Sequence, residues 1–301
     1  MERILDTIVA SRVSSDVLAS RAQIKLFLGQ YFAHVPVEDM RGRSERIMAR
    51  IALDHLAFAA RRKPGEARIR IFNPTEQEHG YVSRFTVVEI VNDDMPFLVD
   101  SVSAAISRHE LPVHITVHPV IPVARTRGGR VSAVHSSDSR EGIKESFMRF
   151  AIERETEAER LAALEAELVR VLADVRLAVD DWPAMRQKMA DARESLETGP
   201  TGVDEDLREE SRALLDWMVD DRFTFLGYRQ YRLTERGERV ILKPMKGTGL
   251  GLLSGEEHRT GKDTELTSEM RRLTRSKDWL IITKANSRST VHRNTYLDYV
   301  G

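Results

Sequence analysis

Apolar residues recur at helical spacing through the first 62 positions. Val17, Ile24, Phe27, Leu28 and Tyr31 are separated by combinations of three, four and seven, which makes one apolar face and predicts a helix closed by His34-Val35-Pro36. A second helix is expected through Ile47, Ile51, Leu53, Leu56 and Phe58, broken by Lys63-Pro64-Gly65. The period then changes. Arg68 to Phe72 ("RIRIF") alternates charged and apolar residues, as a half-buried strand does. Phe85 to Val91 ("FTVVEIV") is rich in β-branched residues and reads as a buried strand.

Asn92-Asp93-Asp94 is a turn with helix-capping character, and Pro96 is expected in the first turn of a helix carrying Leu98, Val102, Ala105 and Ile106. Leu111-Pro112 ends that helix. Val113 to Ala124 then alternates as a strand, with Pro119 and Pro122 marking bends or an edge. Arg127-Gly128-Gly129-Arg130 is a hairpin-like turn into Val131 to Val134, and Glu145 to Glu153 alternates again. Leu161, Leu164, Leu168, Val171, Val175 and Ala178 repeat every three or four residues. The repeat stops at Asp180-Asp181-Trp182-Pro183, too early for a coiled coil, so a helix on a sheet is the reading. Asp180 to Glu197 also reads helical. Thr198-Gly199-Pro200-Thr201-Gly202 is the clearest linker; beyond it a helix over Asp204 to Val219 precedes strands at Phe223 to Leu233, Arg239 to Lys243, Leu280 to Thr283, Ser289 to His292 and Tyr296 to Val300. The pattern defines an α+β chain with a helical segment over 1–66, a sheet-and-helix module over 67–197 and a second sheet-based module over 203–301.

Composition adds exclusions. Of 301 residues 41% are hydrophobic and 31% charged, the balance of a globular chain with a charged surface. A net charge of −1 provides no general field for nucleic acid or an anionic membrane, so neither is expected as a partner. Cysteine is absent, which excludes disulfides, thiolate nucleophiles and Cys-ligated zinc. The N-terminus "MERILDTIVASRV" lacks the apolar core of a signal peptide, and no apolar run approaches the ~18 residues that span a bilayer; a cytoplasmic location is expected.

Few motifs carry chemistry. "KGTGLGLLSG" (Lys246 to Gly255) does not complete a G-x-G-x-x-G or a Walker loop and reads as a flexible loop. "HELPVH" is not H-E-x-x-H, and His114 and His118 on one strand would sit about 13 Å apart, too far for one metal. No G-x-S-x-G elbow occurs. No catalytic residue, cofactor site or metal site is therefore expected. The turn Asn92, Asp93, Asp94, Met95, Pro96 and Phe97 remains. Its acids either cap the following helix or, with the helix's first N–H groups, hold an amino acid: amides for the carboxylate, an Asp for the ammonium.

"TVVEIVNDDMPFLVDSV" (Thr86 to Val102), "HPV" (His118 to Val120), "FTFLGYR" (Phe223 to Arg229) and "KANSRSTVHR" (Lys284 to Arg293) resemble the N-terminal region of large-subunit bacterial NAD-specific glutamate dehydrogenases. The likeness runs from about Arg68 onward. It implies a parent enzyme that deaminates L-glutamate to 2-oxoglutarate and ammonium with NAD, its catalytic domain lying far C-terminal to these residues. The region itself would be non-catalytic, built from ACT-like and PAS-like modules, and concerned with regulation and assembly. It would hold no NAD of its own and would meet the rest of its polypeptide, other subunits of a homo-oligomer and a free amino acid. ACT modules often bind amino acids between the first strand and first helix, here Asn92 to Phe97. The alternative is a structural oligomerisation module with no small ligand. One departure from β-α-β-β-α-β stands out: no strand follows Val179, and Arg68 to Phe72 is the segment able to fill that edge.

Overall fold

A computed structural model describes residues 17–18, 20–36, 44–198, 204–237, 239–254, 263–273 and 278–301. The linker positions 199–202 and Gly255 of the glycine-rich loop lie outside the described residues. The chain divides into two compact units, Met1–Leu172 and Ala173–Gly301.

In the first unit, helix α1 (Arg21–Tyr31) starts at Ser20, whose hydroxyl accepts from the Ala22 N–H at 3.2 Å. Helix α2 (Glu45–Phe58) starts at Ser44, which accepts from the Ile47 N–H. Such caps satisfy donors that no helical carbonyl reaches. After them come β1 (Arg68–Phe72), the short α3 (Glu76–His79), β2 (Thr86–Asp93), α4 (Leu98–Arg108), β3 (Val113–Val117), β4 (Val120–Arg125), β5 (Val131–Val134), β6 (Ile143–Ile152) and the long α5 (Ala158–Asp180), within which the unit boundary falls. The expected strand over Val113 to Ala124 is thus two strands. His118-Pro119 interrupts it, since Pro119 has no N–H for a ladder.

All six strands form one antiparallel sheet. Its path is β1-β2-β6-β4-β5, and β3 pairs with β6 beyond the stretch that β4 takes. Arg68–Phe72 lies antiparallel beside β2, with Ile69 opposite Ile90, and so fills the edge that no strand after Val179 could supply. On β6, Glu145, Phe147 and Arg149 face Asp93, Val91 and Glu89 of β2 in register. Phe147 and Val91 belong to a core shared with Phe27, Leu28 and Tyr31 of α1 and with Met48, Ala52 and Leu56 of α2. That side of the sheet is therefore the one the two N-terminal helices cover. Val88, Ile90, Met148 and Phe150, of opposite parity, are equally buried, so both faces are shielded and the strands read as near-continuous apolar runs. Helix α4 buries Leu98, Val102, Ala105 and Ile106. Glu167 of α5 ties it down by accepting from Arg108 and lying 2.7 Å from His109 Nε2.

Two charged groups interrupt the apolar face. Glu89, fully buried, accepts from Arg70 of β1 at 2.8 Å and from Arg149 of β6. Arg70 also bonds Asp54 of α2, and Arg149 reaches the Tyr81 hydroxyl at 3.1 Å. Glu145, also fully buried, takes a bidentate clasp from Arg125 and a 2.7 Å bond from Arg62. The second arrangement depends on Gly129. Its φ of +78° is left-handed, and a Cβ there would sit 2.6 Å from the Arg62 carbonyl oxygen. Only glycine lets the β4–β5 turn approach that backbone so closely.

The second unit holds helices α6 (Trp182–Ser195) and α7 (Glu205–Trp217), a kinked turn at Met218–Arg222 in which Asp221 takes φ +56°, and strands in small antiparallel sets. β7 (Gly227–Tyr228) pairs with β10 (Leu250–Gly251). β8 (Tyr231–Arg236), β9 (Arg239–Pro244) and β11 (Thr264–Glu265) make a second set; β12 (Ile282–Arg288) and β13 (Tyr296–Val300) make a third. Helix α8 (Ser268–Leu273) lies between β11 and β12. Met185, Leu196, Leu215, Met218 and Phe225 form the core. The strand expected at Ser289 to His292 is instead a turn. The Ser289 hydroxyl donates to the Val291 carbonyl and accepts the Val291 N–H, and His292 takes φ +67°. Local side-chain bonds of this kind compete with a ladder.

Removing the Glu89 charge by Glu89→Gln should destabilise the first unit by roughly 3 kcal/mol, because Arg149 then loses its counter-charge inside the protein while Arg70 keeps only Asp54. Glu153→Gln, at the exposed His114 pair, should leave the urea midpoint unchanged in the same experiment.

Candidate functional site at the acidic turn

The turn joins β2 to α4. Its first members belong to the strand: Asn92 is buried opposite Ser146, and Asp93 lies opposite Glu145. Neither acid caps the helix, contrary to expectation. The N-cap position is Phe97, which makes no side-chain cap bond and sits at φ +71°. Met95 and Pro96 precede the helix, so Pro96 falls outside the first turn. Capping fails because both acids have stronger partners elsewhere. Asp93 accepts from the Arg62 guanidinium at 2.7 Å and from the Gly65 N–H at 2.7 Å. Exposed Asp94 anchors its own N–H on the Lys144 carbonyl at 2.9 Å and accepts from the Ser146 hydroxyl at 2.7 Å.

Behind Asp94 stands His118, whose Nε2 is 3.1 Å from Ser146 Oγ. With the serine proton on Asp94, that oxygen is left to accept from the histidine. Burial holds the His118 pKa below its ordinary value, and the Asp94 charge opposes this only in part. The trio runs His–Ser–Asp, so the carboxylate contacts the serine and not the histidine. A nucleophilic triad requires the opposite order, with the histidine free to take the serine proton. The arrangement orients Asp94.

Beneath the turn, the Arg62–Glu145–Arg125 cluster fixes Asp93. Burial opposes charge on Arg62, but Glu145 and Asp93 more than offset it, and its pKa is raised. Glu89 behaves likewise: burial works against its ionisation, and the nearby cationic groups, Arg149 and Arg70 among them, still hold it below the usual range. Next to Glu89, the Tyr31 hydroxyl is 2.9 Å from His55 Nδ1 in a fully buried pair. Burial lowers the His55 pKa to about 4 despite the Glu89 carboxylate, so the ring is neutral near pH 7.

Sequence reasoning missed this inner charge set. A signal was present: Glu89 sits inside "TVVEIV" and Arg149 inside "FMRFAI", where a strand buried on both faces has no room for an unpartnered charge. The three central histidines go to separate partners, His109 to Glu167, His114 to Glu153 and His118 to Ser146. No group of three potential metal ligands occurs among the described residues, and no described helix is long and apolar enough to cross a membrane.

Residues 27–168, which include this sheet and its turn, match the family model of the glutamate dehydrogenase ACT1 domain. The similarity then extends well past that domain. Over 295 residues the chain is 32% identical to the NAD-specific glutamate dehydrogenase of Halomonas elongata, covering 96% of this chain and 18% of the relative. To the Pseudomonas aeruginosa enzyme of the same name it is 29% identical over 98% of its length, again 18% of the relative. To that of Mycobacterium tuberculosis it is 23% identical over 71%. The chain is thus similar along nearly its whole length to bacterial NAD-specific glutamate dehydrogenases, and it spans about 18% of the length of the first two relatives.

The His55 shift sets a pH response. Between pH 6.5 and about 4 the unfolded chain binds a proton at this histidine that the folded chain does not. Its contribution is complete above pH 6.5, declines as pH falls to about 4 and is constant below, amounting to at most about 3 kcal/mol. Urea titrations across that window should show the decline, and His55→Gln should flatten it. An unchanged slope in the variant would place the acid sensitivity elsewhere.

Proposed function

We propose that this chain is the non-catalytic regulatory and assembly region of a large NAD-specific glutamate dehydrogenase, N-terminal in its parent. That parent would convert L-glutamate, NAD and water to 2-oxoglutarate, ammonium and NADH in the cytoplasm. The observation that carries the reading is the ACT1 match over residues 27–168, within a likeness to these enzymes along nearly the whole chain. Its partners would be the rest of its polypeptide and the other subunits of a homo-oligomer. Residues 203–301 would form a PAS-like module, without a cofactor of its own.

The effector site we propose is the turn Asn92 to Phe97, in a narrower form than the sequence suggested. The turn leads into the N-terminus of helix α4, the end of a helix that favours a ligand carboxylate. Asp94, exposed and held by Ser146, would take the ammonium group. Asp93 is committed to Arg62 and Gly65, so its role there is to hold the turn in place.

Thermal unfolding against the common amino acids tests the proposal. An effector at 100 times its dissociation constant should add about 2.7 kcal/mol, and Asp94→Asn should erase the shift while the unliganded melting temperature stays within a few degrees. A flat panel on folded protein, together with self-association by sedimentation, would favour the assembly role with no small ligand.

A further inference from the structure

The second unit contains a cavity of about 780 Å³, inside the range of roughly 300–1,000 Å³ that small-molecule sites occupy. Nothing in the proposed regulatory role uses it. Met185, Leu215, Met218 and Phe225, all core residues of this unit, line it together with Tyr228 and Tyr296. Two of the sequence stretches singled out above line it, "FTFLGYR" and much of "KANSRSTVHR". Beside the lining residue Leu252, Gly251 takes φ +56°, and a Cβ there would lie 2.4 Å from the carbonyl oxygen of Leu226, which also lines the cavity.

Charge gives the cavity a sign. Lys188 is neutralised by Asp191 at 3.0 Å and Asp298 by Lys284. Arg229 and Arg293 also line the cavity, and among the described residues neither has a carboxylate partner. One guanidinium nitrogen of Arg229 donates to the Leu253 carbonyl at 2.6 Å, which holds the side chain in place, and its Nε is buried without an acceptor. A buried donor without an acceptor is costly, and a cation beside apolar walls is answered best by an anion that brings an apolar body. Inorganic phosphate would satisfy the arginines and leave the methionine and phenylalanine side chains bare. A neutral hydrocarbon would do the reverse.

From this combination we infer that the cavity of the second unit binds a small organic acid, an aromatic or branched body seated on Met185, Leu215, Met218 and Phe225 with its carboxylate at Arg229 and Arg293. The site is separate from the acidic turn, which lies in the first unit, and stands whether or not that turn takes an effector.

Titration calorimetry of the whole chain with 3-phenylpropanoate tests this. The comparison ligands are 3-phenylpropan-1-ol and 3-phenylpropylamine, which keep the body and change the charge, and acetate, which keeps only the headgroup. The acid should bind saturably at millimolar concentration or below, with the alcohol about tenfold weaker or more, since a charge-assisted bond is lost. The amine and acetate should not bind. Arg293→Gln, on an exposed turn, should weaken the acid by about tenfold, leave the alcohol unchanged and leave the unfolding midpoint unchanged. Arg229→Gln should weaken the acid further. Equal binding of acid and alcohol would reduce the cavity to an apolar seat for any hydrophobic group, protein side chains included, and overturn the assignment. So would the absence of binding by all four, or acid binding that survives both substitutions.

Discussion

The sheet of the first unit depends on the neutralisation of two carboxylates inside it. Glu89 and Glu145 are both fully buried on β2 and β6, where an isolated charge would cost several kcal/mol. Four guanidiniums meet them, and each comes from a different place: Arg70 from β1, Arg149 from β6, Arg125 from β4 and Arg62 from the segment after α2. Arg70 and Arg149 flank Glu89 across three adjacent strands in register. A one-residue slip would turn the whole row to the opposite face, so the charges specify register as well as adding attraction. They also explain why the N-terminal helices cannot be a detachable prefix: Asp54 of α2 closes the Arg70 end of the row.

The same constraint shapes the acidic turn. Its two adjacent aspartates look equivalent in sequence and differ in what they meet. Asp93 ends the buried network through Arg62, whereas Asp94 points outward and is steadied by Ser146 and His118. The strand and the network below hold the geometry of the turn, and Asp94 is its carboxylate at the surface. The second unit contrasts with this. It is built from short strand pairs around a small apolar core, and its cations face a cavity instead of buried acids.

Much of the secondary structure was legible because it rests on local rules. The apolar stripe of α1, the alternation in "RIRIF", the prolines that interrupt Val113 to Ala124 and the breaks at Pro64 and Pro112 all act within a few residues. Where expectation failed, a side chain had a better partner than its neighbours provided. Asp93 and Asp94 do not cap α4 because Arg62, 31 residues away, and Ser146, 52 residues away, take them. Ser289 to His292 is not a strand because the Ser289 hydroxyl closes a turn on Val291.

By itself, then, the sequence determined most elements of the first unit's sheet, the edge position open to Arg68–Phe72 and, through its run from Thr86 to Val102, the family to which the chain is similar. Periodicity, breakers and a contiguous motif are properties of neighbouring residues, and a linear reading reaches them. Tertiary structure alone decided which acids are buried and paired, which one faces solvent, how far the His55 ring is driven from its ordinary pKa, and that Arg229 and Arg293 line one cavity. Each of these depends on groups tens of residues apart brought into a medium of low polarity, where the cost of an unmatched charge, and not local propensity, chooses the partner.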